Sequence, residues 1–259
     1  MSLLKTRVKN VVLRRELLYR AYLRYKGGRG RPSGLPATAN ENAVAVLQCR
    51  REWEEALEQV KALGLPPHPH AFKNWDSLIA LDRVLRNTNP AARILDAGTE
   101  IYSAILSWLY MYDYRDLTGI NLTFDRPVRR GPISYMYGDI TRTEFDADSF
   151  DAITCLSVIE HGVDLEAFFH EMSRILKSNA ILVVSTDYYA DPIDTENLEA
   201  YGVPVHIFSK DEIVAAIETA KESGLEVTGP IDLECKEKAV RWQEMGLDFT
   251  FLSMKFRLA

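Results

Sequence analysis

From residue 93 onward, short apolar runs alternate with longer stretches whose apolar residues recur every three or four positions. In the run Arg93–Ala97, Ile94 and Leu95 are apolar, Asp96 follows them, and Gly98 opens a turn. The stretch 101–112 then has helical spacing. Runs at 117–121, 133–137, 151–156, 180–186 and 225–228 predict strands, and 164–177 and 209–222 predict helices. Such alternation belongs to a parallel sheet covered on both faces by helices. Residues 248–258 pair Phe249 with Phe251 and Met254 with Phe256 at strand spacing. No room for a crossover helix remains after Gly246, so this last strand is expected to pair antiparallel.

The pattern upstream is helical. Residues 3–26 place Leu4, Val8, Val11, Leu18, Tyr22 and Tyr25 roughly on one face, with cations elsewhere. Residues 27–36, rich in Gly and Pro, read as a linker. Thr38 with Glu41 three residues on fits a capping box, and Asn40 is an alternative cap. The helix expected from there runs to about Leu63, where Gly64, Pro66 and Pro67 end it. A third helix is expected over 75–86. The chain thus divides into a basic helical arm and linker (1–36), a helical extension or cap (37–90) and a sheet domain (91–259).

Composition narrows this picture. A chain of 259 residues can bury one α/β core plus a helical extension. No apolar run approaches the roughly 18 residues that span a bilayer, and the N-terminus lacks a signal-peptide pattern. Cys49, Cys155 and Cys235 are odd in number and widely spaced, which predicts reduced thiols in the cytoplasm and no zinc site. His68 and His70, in a proline-rich loop, read as solvated residues rather than metal ligands. Charge is uneven: residues 1–36 hold ten Lys or Arg and one acid, so a +9 arm precedes a −15 body. An arm of this kind suits an anionic partner. An amphipathic helix lying on an anionic membrane fits its Leu and Tyr residues. RNA ranks lower, because no RNA-binding motif accompanies the arm and the body is acidic. A solvated helix, or one packed on a partner subunit, is the plain alternative.

Chemistry-bearing residues gather after the predicted strands. They are Asp96, Gly98 and Glu100 after the first, Asn121 after the second, Gly138, Asp139 and Ile140 after the third, and Ser157, Glu160 and His161 after the fourth. In open α/β sheets these carboxyl ends hold the ligand. Tyr137 to Asp139, Ser149 to Asp151, Glu160 with His161, and Arg174 to Lys177 leading into an apolar strand together resemble class I S-adenosylmethionine-dependent methyltransferases over residues 91–259. The resemblance implies a Rossmann-like seven-stranded sheet with helices on both faces and the last strand antiparallel, plus the N-terminal helical extension. It also implies S-adenosylmethionine as cofactor. Asp96 and Gly98 would face its methionine end, Asn121 its ribose, Asp139 with Ile140 its adenine, and Ser157 its sulfonium.

Two departures from the family pattern stand out. Glu100 and Tyr102 replace glycines of the first motif, and Asn121 replaces the acid that grips the ribose. An amide accepts one hydrogen bond there but offers no charged bidentate pair. Glu100 either compensates, by reaching the cofactor's ammonium or ribose, or caps the next helix.

Proton removal from the acceptor would suit a histidine. His161, beside the expected methyl position, and His206, in the long connection after 180–186, are the candidates. Asp187 and Tyr188 end that strand and could meet the acceptor. The expected reaction is methylation of a hydroxyl on a small molecule or a glycan, with a lipid-linked sugar as an extension suggested by the arm. The rival from another class is a catalytically silent subunit that kept the fold and lost the ligand. GxGxxG is absent after the first strand, which disfavours a dinucleotide oxidoreductase.

Overall fold

The computed structural model describes residues 11–27, 32, 34–37, 43–200 and 202–259. The expectations for Leu4, Val8 and the Thr38, Asn40 and Glu41 caps lie outside those residues. The arm helix α1 (Glu16–Gly27) comes first, followed by β1 (Val44–Val46), α2 (Arg50–Ala62) and α3 (Lys73–Asn87). The sheet domain opens with β2 (Arg93–Ala97), α4 (Ile105–Met111), β3 (Asp116–Asn121), β4 (Val128–Arg130) and β5 (Ile133–Tyr137). It continues with β6 (Phe150–Leu156), α5 (Leu165–Ile175), β7 (Leu176–Tyr188), the small hairpin β8 (Glu199–Ala200) and β9 (Val203–Pro204), and α6 (Lys210–Glu222). Strands β10 (Leu225–Val227), β11 (Val240–Trp242) and β12 (Leu247–Leu258) complete it.

The main sheet runs β1-β12-β7-β6-β2-β3-β5-β4, with β10 and β11 also paired to β12. Strands β2, β3, β5, β6 and β7 are mutually parallel, and β12 is antiparallel to β7. All seven expected strands are present with the expected sense of the last one; β1, β4 and β11 are short additions. The chain leaves β2 toward β3 on one side and reaches β6 on the other, which opens a crevice at the carboxyl end of β2. Residues along β7 alternate between two apolar layers: Ile181 and Val183 face the layer of α3 and α4, and Leu182 and Val184 face that of α5 and α6. This is the period-2 signature of a strand buried on both sides.

The expected helix from about residue 40 to Leu63 is corrected in its first part. Residues 43–47 read Ala-Val-Ala-Val-Leu, all buried, and Val44–Val46 among them form the strand β1 on β12, with Val44 opposite Met254. Its flanks are held by Leu47 N–H to Phe251 O at 2.9 Å and Lys255 N–H to Ala43 O at 2.7 Å. With β11 and β10 on either side of it, β1 covers the outer edge of β12, which would otherwise be an open template for association. Helix α6 begins as its sequence predicts, with Ser209 and Glu212 forming a capping box.

Helix α3 matters most for the site. It lies across β6, β7 and β12, and every residue from Asn74 to Val84 is buried. Its polar residues therefore need internal partners. Arg83 donates to Ser253 Oγ at 2.8 Å and to Ala43 O at 3.2 Å, and burial lowers its pKa to about 10. Toward its start, α3 carries Lys73 and Asp76 over the ends of β6 and β7.

Candidate active site

The crevice after β2 is a loop knitted largely by its own backbone. Gly98 adopts φ 82°, and a Cβ there would lie 2.5 Å from Val158 Cγ2, so both conformation and space require glycine. Gly98 N–H and Thr99 N–H donate to Ile120 O at 2.8 and 3.0 Å. Asn121 Nδ2 donates to Gly98 O at 2.9 Å and Thr99 O at 3.1 Å, while its Oδ1 accepts from Thr123 N–H at 2.9 Å. The side chain standing where a ribose-binding acid is usual thus holds the loop in shape. One lone pair of Oδ1 remains for a hydroxyl.

Glu100 does not cap the helix. Helix α4 begins at Ile105, and Glu100 Oε1 instead accepts from Thr123 Oγ1 at 3.0 Å, bringing a carboxylate beside Asn121. Asp139 Oδ1 accepts from Thr141 N–H and Oγ1 at 2.9 and 2.7 Å. Its Oδ2 has no hydrogen bond among the described residues, and Ile140 beside it is buried. Tyr102 is half-exposed and lies edge-on to His68, ring centroids 5.9 Å apart. Asp96 is buried under the loop, accepts from Thr154 Oγ1 at 2.7 Å, and is pushed up to about 6 by desolvation. The glycine turn, a free carboxylate oxygen on Asp139, and Glu100 and Asn121, both bonded to Thr123, place acceptor groups that fit a nucleoside carrying an amino acid.

Beyond this lip lies a buried charged cluster. Ser157, at φ 54°, ends β6 in a left-handed conformation that is costly for a residue with a side chain. Its N–H donates to Ser185 O at 2.9 Å, and its Oγ meets Lys73 Nζ and donates to Asp76 Oδ2 at 3.3 Å. Asp76 Oδ2 also accepts from Ser185 Oγ at 2.9 Å. Lys73 Nζ stands 3.8 Å from Asp187 Oδ1 and 4.1 Å from the centroid of the Phe251 ring. Glu160 accepts from Thr186 Oγ1 at 3.1 Å. Three buried carboxyl groups, Asp76, Glu160 and Asp187, thus gather near one ammonium, which is in ion-pair range of Asp187.

Electrostatics follow from that imbalance. Burial pushes Glu160 up to about 7 and Asp187 up to about 8, the charge on Lys73 opposing both shifts. Asp187 Oδ1 is buried and accepts no hydrogen bond, with Lys73 Nζ 3.8 Å away. His161 is half-buried beside Asp187, and burial lowers its pKa. His206 is placed differently: its Nε2 is 2.9 Å from Glu212 Oε1 and its ring packs edge-on to Phe208. Only its backbone N–H reaches toward the cluster, donating to Glu160 O at 3.0 Å.

His68, expected to be solvated, is half-buried. Its Nδ1 accepts from His70 N–H at 3.1 Å, and desolvation lowers its pKa to about 4. The sequence motifs missed Lys73 and Asp76, because both lie in α3, far along the chain from the strands they meet. The available signal was a Lys and an Asp among Phe72, Trp75, Leu78 and Ile79, where an exposed helix would not bury them.

Comparisons agree with this geometry. Residues 97–184 match a family model described as a methyltransferase domain. A crystal structure of an S-adenosylmethionine-dependent methyltransferase from Mesorhizobium loti is 18% identical, covers 71% of this chain and 97% of its own, and superposes with a TM-score of 0.50. The cyclase SpnF is 14% identical, covers 87% of this chain and 98% of its own, with a TM-score of 0.53. Among curated proteins, the sterol 24-C-methyltransferase of Debaryomyces hansenii is 29% identical over 119 residues, 42% of this chain. The match spans 31% of that enzyme's length, so the chain corresponds to about a third of it. With the strand order, the glycine loop and the matched segment in agreement, the chain has the fold of class I S-adenosylmethionine-dependent methyltransferases, and residues 97–184 within it match a methyltransferase domain.

Proposed function

We propose that this protein transfers a methyl group from S-adenosylmethionine to a hydroxyl of a small molecule or glycan, with Asp187 taking the hydroxyl proton. The observation that carries the reading is the buried Asp187 carboxyl. It is pushed up to about 8, has an Oδ1 that accepts no hydrogen bond, and is bridged by Lys73 to Ser157 at the end of β6.

Asp139, Glu100, Asn121 and the backbone around Gly98 would hold the cofactor, which supplies an electrophilic methyl on a positively charged sulfur. As a neutral acceptor is methylated, positive charge builds on it, and a carboxylate ionised at the ends of β6 and β7 would offset that charge in a site sheltered from water. Asp187, once ionised, accepts the proton; a base whose pKa lies near the working pH suits that step. Lys73 keeps the Asp187 pKa from rising further and orients the carboxyl. His161 lies beside Asp187 as a neutral imidazole near pH 7, and His206 stays tied to Glu212.

The relatives favour a second reading. The sterol 24-C-methyltransferases methylate carbon, as their name states, and the same carboxyl cluster would offset a cation on carbon. Labelled methyl transfer from S-adenosylmethionine, offered to hydroxylated glycans and to sterols in parallel, tests both. A labelled methyl ether supports the first reading and a labelled methyl on carbon the second. No transfer into either acceptor class or into cell-extract fractions leaves the catalytically silent subunit.

A further inference from the structure

Helix α1 shows an arrangement unusual for a surface helix. Its inner face is fastened to the body by Tyr19 and Leu23, both buried, and Tyr19 stacks on Tyr110 with centroids 5.6 Å apart. Arg20 and Glu16 are used up there too. Arg20 Nε donates to Tyr110 Oη at 3.3 Å and Glu16 Oε1 lies 3.7 Å from Arg115. The opposite face should then be polar. Instead Leu17, Ala21 and Tyr25, spaced i, i+4, i+8, point outward, with Leu18 beside them. Leu17 is 82%, Tyr25 88% and Leu18 44% exposed, and Val11 just ahead of the helix is 66% exposed. Around this stripe stand Arg14, Arg15, Arg24 and Lys26. Arg14 and Arg129 of β4 line one cavity of about 650 Å³, together with Glu16. Among the described residues none of these cations has an acidic partner within salt-bridge distance.

We infer that the outward face of α1 docks on the surface of an anionic phospholipid bilayer, Leu17, Leu18 and Tyr25 entering the headgroup boundary while the flanking cations meet lipid phosphates. An apolar stripe bordered by unpaired cations complements that surface on both counts. A second copy of the chain fits worse, because two such helices packed together would bring Arg14, Arg15, Arg24 and Lys26 against their own equivalents. A nucleic acid would meet the cations but leave Leu17 and Leu18 in water. The acidic body is repelled by the same lipids, so docking through α1 also orients the sheet domain away from them. This inference does not depend on the proposed methyl transfer.

The test is co-sedimentation of the full chain with vesicles of phosphatidylcholine, alone or mixed with phosphatidylglycerol. The parent chain should sediment with the mixed vesicles, less so as salt is raised, and stay in solution with phosphatidylcholine alone. Each cation lost weakens partition about fivefold at low salt, so R14E/R24E should lower it by well over tenfold. L17D/Y25D should lower partition by about tenfold or more by removing the apolar contact. Both variants alter exposed side chains, and an unchanged melting temperature confirms that they fold. A parent chain that stays in solution with anionic vesicles overturns the inference, as does L17D/Y25D sedimenting like the parent. It is equally overturned if a ribo-oligonucleotide displaces the vesicles and still binds L17D/Y25D, or if the face proves to hold a dimer that L17D/Y25D dissociates.

Discussion

The two halves of the candidate site solve different physical problems. At the lip after β2, polar side chains spend their hydrogen bonds on loop shape: Asn121 on two carbonyls, Asp139 on Thr141, Glu100 on Thr123. Of the polar residues there Asp96 and Thr99 are deeply buried, and the geometry follows from backbone and glycine. At the ends of β6 and β7, by contrast, Asp76, Glu160 and Asp187 are buried around a single lysine, and two of them are held well above ordinary carboxylate pKa values. The first region is set by shape; the second keeps carboxyl groups protonated by burial and poised to ionise. A fold can keep the former while the latter changes, which is why fold alone does not name the acceptor.

That contrast can be broken most forcefully at Asp187. Asp187→Asn should lower methyl transfer by roughly a hundredfold to ten-thousandfold while leaving cofactor affinity unchanged; equal losses in both would erase the division between the regions. On the shape side, Gly98→Ala forces a Cβ against Val158 at a positive φ and should cost about 1–3 kcal/mol, visible as a lower melting temperature. Asp139→Ala should weaken S-adenosylmethionine about tenfold by calorimetry and lower the melting temperature of the ligand-free chain far less. If mutant and parent bind equally, Asp139 does not touch the cofactor.

The smallest effect is in pH. Asp96, Glu160 and Asp187 all have folded pKa values above those of an unfolded chain, so the folded state holds more protons between about pH 4 and 8. Their contribution to stability is complete below about pH 4 and is lost as pH rises through 6 to 8. Over that last interval the ligand-free melting temperature should decline, less steeply in Asp187→Asn, while methyl transfer rises as Asp187 ionises. Stability that climbs from pH 6 to 8 would contradict the assignment of these groups.

Much of the fold was legible because strands buried on both faces announce themselves as apolar runs, and the carboxyl ends of 93–97, 117–121, 133–137 and 151–156 all fall on one rim. β1 was not legible. Three residues of strand depend on a partner more than two hundred positions away, and no local pattern separates Val44–Val46 from the first turn of a helix. On the lip, Asp96, Gly98, Asn121, Asp139 and Ser157 stand at the strand ends where their motifs put them. The division of labour between Asn121 and Glu100 needed the loop's actual course. Lys73 and Asp76 were hidden for the same reason as β1: they act on Ser157 across 84 and 81 positions. In the arm, hydrophobic spacing grouped Val11, Leu18, Tyr22 and Tyr25, whereas Leu13, Tyr19 and Leu23 form the face that packs inward.

The most direct test of the central claim is calorimetric titration of the full chain with S-adenosylmethionine, beside Asp139→Ala and Asp187→Asn. The account predicts saturable binding at one site by the parent and by Asp187→Asn, and clearly weaker binding by Asp139→Ala. Absence of heat with the parent at millimolar ligand would contradict it, leaving a methyltransferase fold that holds no cofactor.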